Sequence, residues 1–361
     1  MPDIDRLFDA LLERNGSDLH LSVGYPPMLR IRGDLEPFGK RALDGESVGS
    51  LLYEIIDAPR RKQFDDTGDL DFAYAYEQKA RFRANYLKKT TGPGAVFRTI
   101  PTRILSAADL GLAPILLKLC ERRSGLILVT GPTGSGKSTT LAALLSHINH
   151  NRDGHILTIE DPVEFVHQSV RCQITHREVG IDSPSYQDAI RSAIREDADV
   201  ILVGELRGPE TMRLALQLAS FGVLVFATVH TNSATATIDR FVNAFPAAQQ
   251  SQIRGMLADS LAGIVAQQLL KRADATGRVA AHEVLVGTTA VASTIREAKT
   301  MMIPSLIQAG AQLGMLSMDA GLERLVRDGT VAARDAYEKA LDKESFSKLP
   351  IITAGLSEPQ T

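Results

Sequence analysis

Two rhythms of hydrophobic and polar residues divide the chain. Ile4, Leu7, Phe8, Leu11 and Leu12 recur at helical spacing and predict a helix over Ile4–Arg14. The turn Asn15-Gly16 then opens a strand-rich stretch. Residues Asp18–Val23 and Met28–Arg32 alternate apolar with polar, and Gly33-Asp34 turns the second of them. Arg81–Leu87 and Gly94–Arg98 read as two further strands, with a helical segment over Gly45–Phe64 before them. The pattern predicts an α+β module over residues 1–100 with no nucleotide signature. Pro101 and the stretch Ser106–Pro114 punctuate the chain, so residues 101–114 are expected to be a linker.

From Gly125 onward the rhythm changes. Short apolar runs at Leu126–Thr130, Ile156–Glu160, Val200–Gly204 and Val223–Val229 alternate with longer helical patterns. Such runs mark a mostly parallel sheet covered on both faces. The last hundred residues read as helical, over Gln249–Leu270, Ser305–Gly310 and Ser317–Arg327. An α/β domain over 115–345 and a polar tail over 346–361 complete the expected organisation.

Composition narrows the class. Of 361 residues, 44% are hydrophobic and 23% charged, close to the globular average. A net charge of -3, no Trp and 5% aromatics give no reason to expect a nucleic-acid partner. Cys120 and Cys172 are too few for a disulfide framework or zinc ribbon. His147, His150 and His155 have no metal-ligand spacing supported by cysteines. The N-terminus lacks the apolar segment of a signal peptide, and no run reaches the roughly 18 apolar residues of a bilayer span. A cytoplasmic protein is expected, with any membrane association supplied by a partner.

The chemistry begins at Gly131-Pro132-Thr133-Gly134-Ser135-Gly136-Lys137-Ser138, followed by Thr139. These residues fit G-x-x-x-x-G-K-[ST], with a strand leading in and a helix, Ser138–Asn149, leading out. Glycines let backbone N–H groups turn around phosphates, and a helix N-terminus adds positive partial charge. Lys137 is a point charge for the β- and γ-phosphates, and the Ser138 hydroxyl is a ligand for Mg²⁺. ATP with Mg²⁺ is the expected substrate.

Phosphoryl transfer also needs a metal-holding acid and a group that orients water. Glu160 ends one apolar run, followed by Asp161 and Glu164, and Glu205 follows another after Gly204. Ligands bind beyond the carboxyl ends of strands in open α/β sheets. Glu205 is therefore the first candidate for orienting water and Glu160 the second, and both are candidate metal ligands with Ser138. A helix cap is the competing role for each. Many P-loop proteins place Asp where this chain has Gly204-Glu205. His230 ends a third run and reads as a γ-phosphate sensor or a structural histidine.

In these motifs the chain resembles the PilT-type type IV pilus retraction ATPases of the secretion ATPase superfamily. Gly131–Ser138 matches Walker A, Thr158–Glu164 the Asp box, Val200–Arg207 an atypical Walker B, and Thr228–Asn232 the His box. The similarity runs over roughly residues 3–345. It implies a PAS-like N-terminal domain and a RecA-like P-loop ATPase domain in a homohexameric ring. It further implies a motor, peripheral at the inner membrane, that works on a pilus platform protein there. Arginines near the phosphates are a family feature, so Arg81, Arg83 and Arg98 become candidates, against the alternative of a solvated strand face. One segment departs: the family's Ala-Ile-Arg-Asn-Leu-Ile-Arg-Glu is here Ala290-Val291-Ala292-Ser293-Thr294-Ile295-Arg296-Glu297. The departure admits an accessory PilU-like motor or a second PilT paralogue, and with it a paralogous retraction ATPase as partner.

Three other readings carry less. Assembly motors and type II secretion ATPases usually carry a larger N-terminal region and a four-cysteine zinc insertion, and an N-terminal module over residues 1–100 with two distant cysteines leaves room for neither. A RecA-like nucleic-acid motor needs a basic groove or stacking platform. A nucleotide-gated scaffold without turnover would not need Lys137, Glu160 and Glu205 together.

Overall fold

The computed structural model describes residues 2–31, 33–77, 79–100 and 103–357. They form two compact units, residues 1–103 with 161–166, and residues 104–160 with 167–361.

The first unit starts with α1 (Asp5–Glu13), whose Phe8 and Leu11 are buried together with Ile4 just before it, as helical spacing requires. Its strands are β1 (Asp18–Ser22), β2 (Met28–Ile31), β3 (Asp34–Pro37), β4 (Asp69–Tyr76), β5 (Ala80–Lys89) and β6 (Gly92–Ile100). They form an antiparallel sheet of order β3-β2-β1-β6-β5-β4. Burial alternates along β4 and β5, so one face is packed and the other polar. The packed face is aromatic: the Phe8 ring stacks on Phe82 at 4.2 Å and meets Phe97 edge-on at 5.1 Å. β3 and β4 lie outside the strands expected from sequence, and Arg32 and Pro101 lie outside the described residues.

The helical segment expected over Gly45–Phe64 is two helices, α2 (Gly45–Tyr53) and α3 (Ala58–Thr67). The break has a local cause. Asp57 caps α3 by accepting from Arg60 N at 2.9 Å. Pro59 has no N–H and fits only the first turn, so it cannot continue a helix from Gly45.

The second unit runs through α4 (Pro114–Cys120), β7 (Gly125–Thr130), α5 (Lys137–Asn151), β8 (Gly154–Glu160), β9 (Cys172–Glu178), α6 (Tyr186–Ala193) and β10 (Val200–Val203). It continues with α7 (Pro209–Ser220), β11 (Leu224–Val229), α8 (Ala234–Asn243), α9 (Ala247–Ser260), β12 (Leu261–Lys271) and β13 (Arg278–Val286). The sheet order is β13-β12-β7-β11-β10-β8-β9, with β13 alone antiparallel to its neighbour. Alternate residues of β7 face different cores, Leu126 and Leu128 one, Ile127 and Val129 the other. Burial on both faces is why these strands read as unbroken apolar runs.

Two expectations for the C-terminal part are corrected. The helix expected over Gln249–Leu270 ends at Ser260, and Leu261–Lys271 is a strand between β7 and β13. A buried apolar run carries no period that separates helix from strand, and the β-branched Ile264 and Val265 favour the strand. The remainder is helical: α10 (Thr289–Arg296), α11 (Ile303–Ala309), α12 (Met318–Arg327), α13 (Ala333–Lys339), α14 (Lys343–Ser347) and α15 (Pro350–Ser357). The expected polar tail therefore contains α15, and Phe346 and Ile352 are buried against Leu322 and Val331. The expected linker is also packed, since Leu112 joins the core around β7, with Ala107, Leu110 and Ala113 packed against it.

Candidate active site

Four neighbouring strands, β7, β11, β10 and β8, deliver the loop, the histidine and the two acids at their carboxyl ends. The loop Gly131–Gly136 leaves β7 and enters α5, whose first residue is Lys137. Gly131, Gly134 and Gly136 have φ of 150°, 79° and 87°, which favour glycine. Packing fixes two of them independently. A Cβ on Gly131 would lie 2.3 Å from Gln267 O, and one on Gly136 2.9 Å from Gln267 Nε2.

Pro132, Thr133 and Gly134 are exposed, while Ser138 and Thr139 are half-buried. Lys137 is buried, and its Nζ donates to Gly131 O at 2.9 Å and Pro132 O at 3.1 Å. Its charge is thus held against the loop. Ser135 Oγ is buried with no hydrogen-bond partner among the described residues. An orphan buried hydroxyl is costly, and a phosphate oxygen at this helix start would satisfy it. The cradle and the orphan donor both fit a nucleotide phosphate.

Gly204 answers why this chain has Gly-Glu at the end of β10. A Cβ there would come 3.1 Å from Tyr186 Oη, 3.3 Å from Ile159 O and 3.4 Å from Glu160 Cα. Gly204 N donates to Ile159 O at 2.8 Å, so β10 passes close against the end of β8. Glu160 follows Ile159 as the last, half-buried residue of β8. Glu205 Oε1 lies 3.2 Å from His230 Nε2, and Oε2 accepts from Arg207 Nε at 3.0 Å. The candidate water-orienting acid and the candidate sensor are therefore brought together.

Hydroxyl contacts lace the strand ends together. Thr228 Oγ1 donates to Gly204 O at 2.5 Å, joining β11 to β10. Thr231 N donates to Thr130 Oγ1 at 2.9 Å, and Thr130 Oγ1 donates to Thr231 O at 2.6 Å, joining the histidine segment to β7. Ser233 caps α8 by accepting from Ala236 N. The buried Glu283 of β13 accepts from Ala234 N at 2.7 Å, and burial raises its carboxyl above the ordinary value. Movement of the His230 segment is restrained from two sides.

Arg81, Arg83 and Arg98 lie in the first unit, on the polar face of its sheet. Cross-strand pairing sets Arg83 opposite Arg98, Arg98 opposite Asp18, and Asp18 opposite Arg30. Arg98 Nε donates to Asp18 Oδ1 at 2.9 Å. Burial pushes the Asp18 carboxyl up, but hydrogen bonds from Ser17 and Arg98 outweigh it and leave it below the ordinary value. Arg81 donates to Val163 O at 3.2 Å, and Arg83 stands 3.9 Å from Glu164, both partners belonging to the same unit. Sequence reasoning did not single out Arg207, Gln267 or Glu283. A polar residue inside an otherwise apolar run was the available signal for the last two.

Comparison with known proteins agrees with this architecture. The family model described as "Type II/IV secretion system protein" matches residues 60–302. The type IV pilus retraction ATPase PilT of Pseudomonas aeruginosa is 46% identical over 95% of this chain and 100% of its own length. The type IV pilus ATPase PilU of the same organism is 35% identical over 94% of this chain and 88% of its own. A crystal structure of the pilus retraction motor PilT with bound ADP superimposes with a TM-score of 0.88 at 39% identity, covering 95% of this chain and 98% of that one. With its loop, strand-end acids and two-unit fold, the chain belongs to the type II/IV secretion system protein family, as a PilT-type ATPase.

Proposed function

We propose that this chain is the subunit of a homohexameric motor that couples ATP hydrolysis to type IV pilus retraction. It is proposed to act from the cytoplasm on a platform protein of the inner membrane. No helix among the described residues is long and apolar enough to cross a membrane. The observation that carries the enzymatic part is the Glu205–His230 contact in the same row of strand ends as Lys137.

Lys137 then neutralises the β- and γ-phosphates, and Glu205 orients the attacking water, with Glu160 as the alternative. Ser138, Glu160 and Glu205 are the candidates for holding Mg²⁺, which supplies positive charge to the phosphates when bound. His230, 3.2 Å from Glu205, registers whether that carboxylate is engaged. Arg81, Arg83 and Arg98 are candidate donors for charge developing on the transferred group.

The test is kinetic. Glu205→Gln should keep nucleotide binding and lose about 10²- to 10⁴-fold in kcat, the usual worth of a positioned acid or base. Survival of kcat there, with its loss in Glu160→Gln, would exchange the two roles. Deleting the gene should leave cells hyperpiliated, whereas bald cells would sink retraction.

An accessory PilU-like motor is the second reading, and one observation favours it. In α10 the segment's leucine is replaced by Thr294 on the buried face, and its first arginine by the half-buried Ala292. The identity of 46% to PilT against 35% to PilU favours the primary motor.

A further inference from the structure

We infer that Gln267 is a positioning residue for nucleotide binding, bracing the phosphate loop from the neighbouring strand through both ends of its side-chain amide. Gln267 lies in the apolar strand β12 and is 2% exposed. A buried amide is costly unless both its ends are paired, and here they are. Nε2 donates to Ser135 O at 2.6 Å, and Oε1 accepts from Thr140 Oγ1 at 2.8 Å. Thr140 lies in the first turn of α5, so the amide spans the junction of loop and helix.

The backbone of Gln267 adds a third contact. Ala266 pairs with Thr130 in parallel register, which brings Gln267 alongside Gly131. Its carbonyl oxygen occupies the space that a side chain on Gly131 would need, and its Nε2 does the same at Gly136. One residue therefore fixes the loop at its first glycine, at Ser135–Gly136 and at the helix that follows.

A glycine-rich loop has much backbone freedom to lose when a nucleotide orders it. A brace present before binding lowers that cost. Because Gln267 reaches the loop through the Ser135 carbonyl and its own backbone, its effect falls on ATP and ADP alike. An effect shared by ground and transition states moves KM without moving kcat in step. The inference rests on reading the loop as the nucleotide site.

The experiment uses the full chain, with ADP and ATP titrations beside steady-state kinetics. Gln267→Met keeps side-chain length and removes both hydrogen bonds. The Kd for ADP and for ATP should rise together by about tenfold, in line with one or two net hydrogen bonds. KM should follow, with kcat falling by less than KM rises. Thr140→Val removes only the Oε1 contact and should raise both Kd values by about threefold. It also decides the matter if Gln267→Met does not fold, because wild-type Kd values in Thr140→Val would then overturn the inference. Wild-type ADP affinity in a folded Gln267→Met protein overturns it, as does a loss confined to kcat. Failure of the wild-type chain to bind ADP would overturn the nucleotide-site reading instead.

Discussion

The two sheets of this protein put their chemistry in different places. In the antiparallel sheet the polar residues stand on a face, where Arg83, Arg98, Asp18 and Arg30 form one row across four strands. In the second sheet β7, β8, β10 and β11 are buried on both faces in apolar cores, and the candidate charged residues they position stand at or just beyond their carboxyl ends. A sheet with one free face can hold charge anywhere along its strands. Strands buried against apolar cores on both sides leave their ends for it. The difference explains why Lys137, Glu160, Glu205 and His230 converge from segments distant in sequence.

The contrast can be broken most forcefully at the aromatic face. Phe8→Ala removes a ring stacked on Phe82 and should destabilise the first unit by about 3–5 kcal/mol. Chemical denaturation measures this, and a loss under about 1 kcal/mol would mean the face does not depend on that ring. Next comes acid. Burial lowers both His282 and His167, each in the second unit, from 6.5 to about 4. Unfolded chains take up those protons first, so stability is whole above pH about 6.5 and falls as pH drops toward about 4. Each histidine contributes on the order of 3 kcal/mol to that fall. His282→Gln should flatten the acid limb of Tm against pH, and an unchanged limb would reject the assignment.

The arginine row gives a smaller effect. Arg98→Ala takes a hydrogen bond from the buried Asp18 and should cost about 1–2 kcal/mol, limited by exposure of the guanidinium. Unchanged stability with lost ATPase activity would move Arg98 from anchoring the face to the chemistry. Smallest is the cap of α3, where Asp57→Ala should cost about 1 kcal/mol by thermal melting. A neutral result would leave Pro59 alone to account for the break between α2 and α3.

These same contrasts decide what could be read from the chain. The runs at Leu126, Ile156, Val200 and Val223 are legible because burial on both faces leaves no polar interruption. That property also hid β12, since Leu261–Ala266 is equally apolar read as helix or strand. The loop was legible because its chemistry restricts residue type at each fixed position. Glu205 and His230 were each visible at a strand end, but their contact was not, because it depends on the order β11-β10. Gln267 was not legible because the partners of its amide, Ser135 and Thr140, lie 132 and 127 positions away.

The division of the chain has a consequence for modularity. Residues 161–166 belong with the first unit, although they follow directly on Glu160 at the end of β8. They supply the Val163 carbonyl that Arg81 bonds and the Glu164 that faces Arg83. A fragment cut after residue 103 would leave those partners behind. The N-terminal part is therefore no detachable cassette: a graft of it onto another protein must bring along residues 161–166, the segment that follows β8.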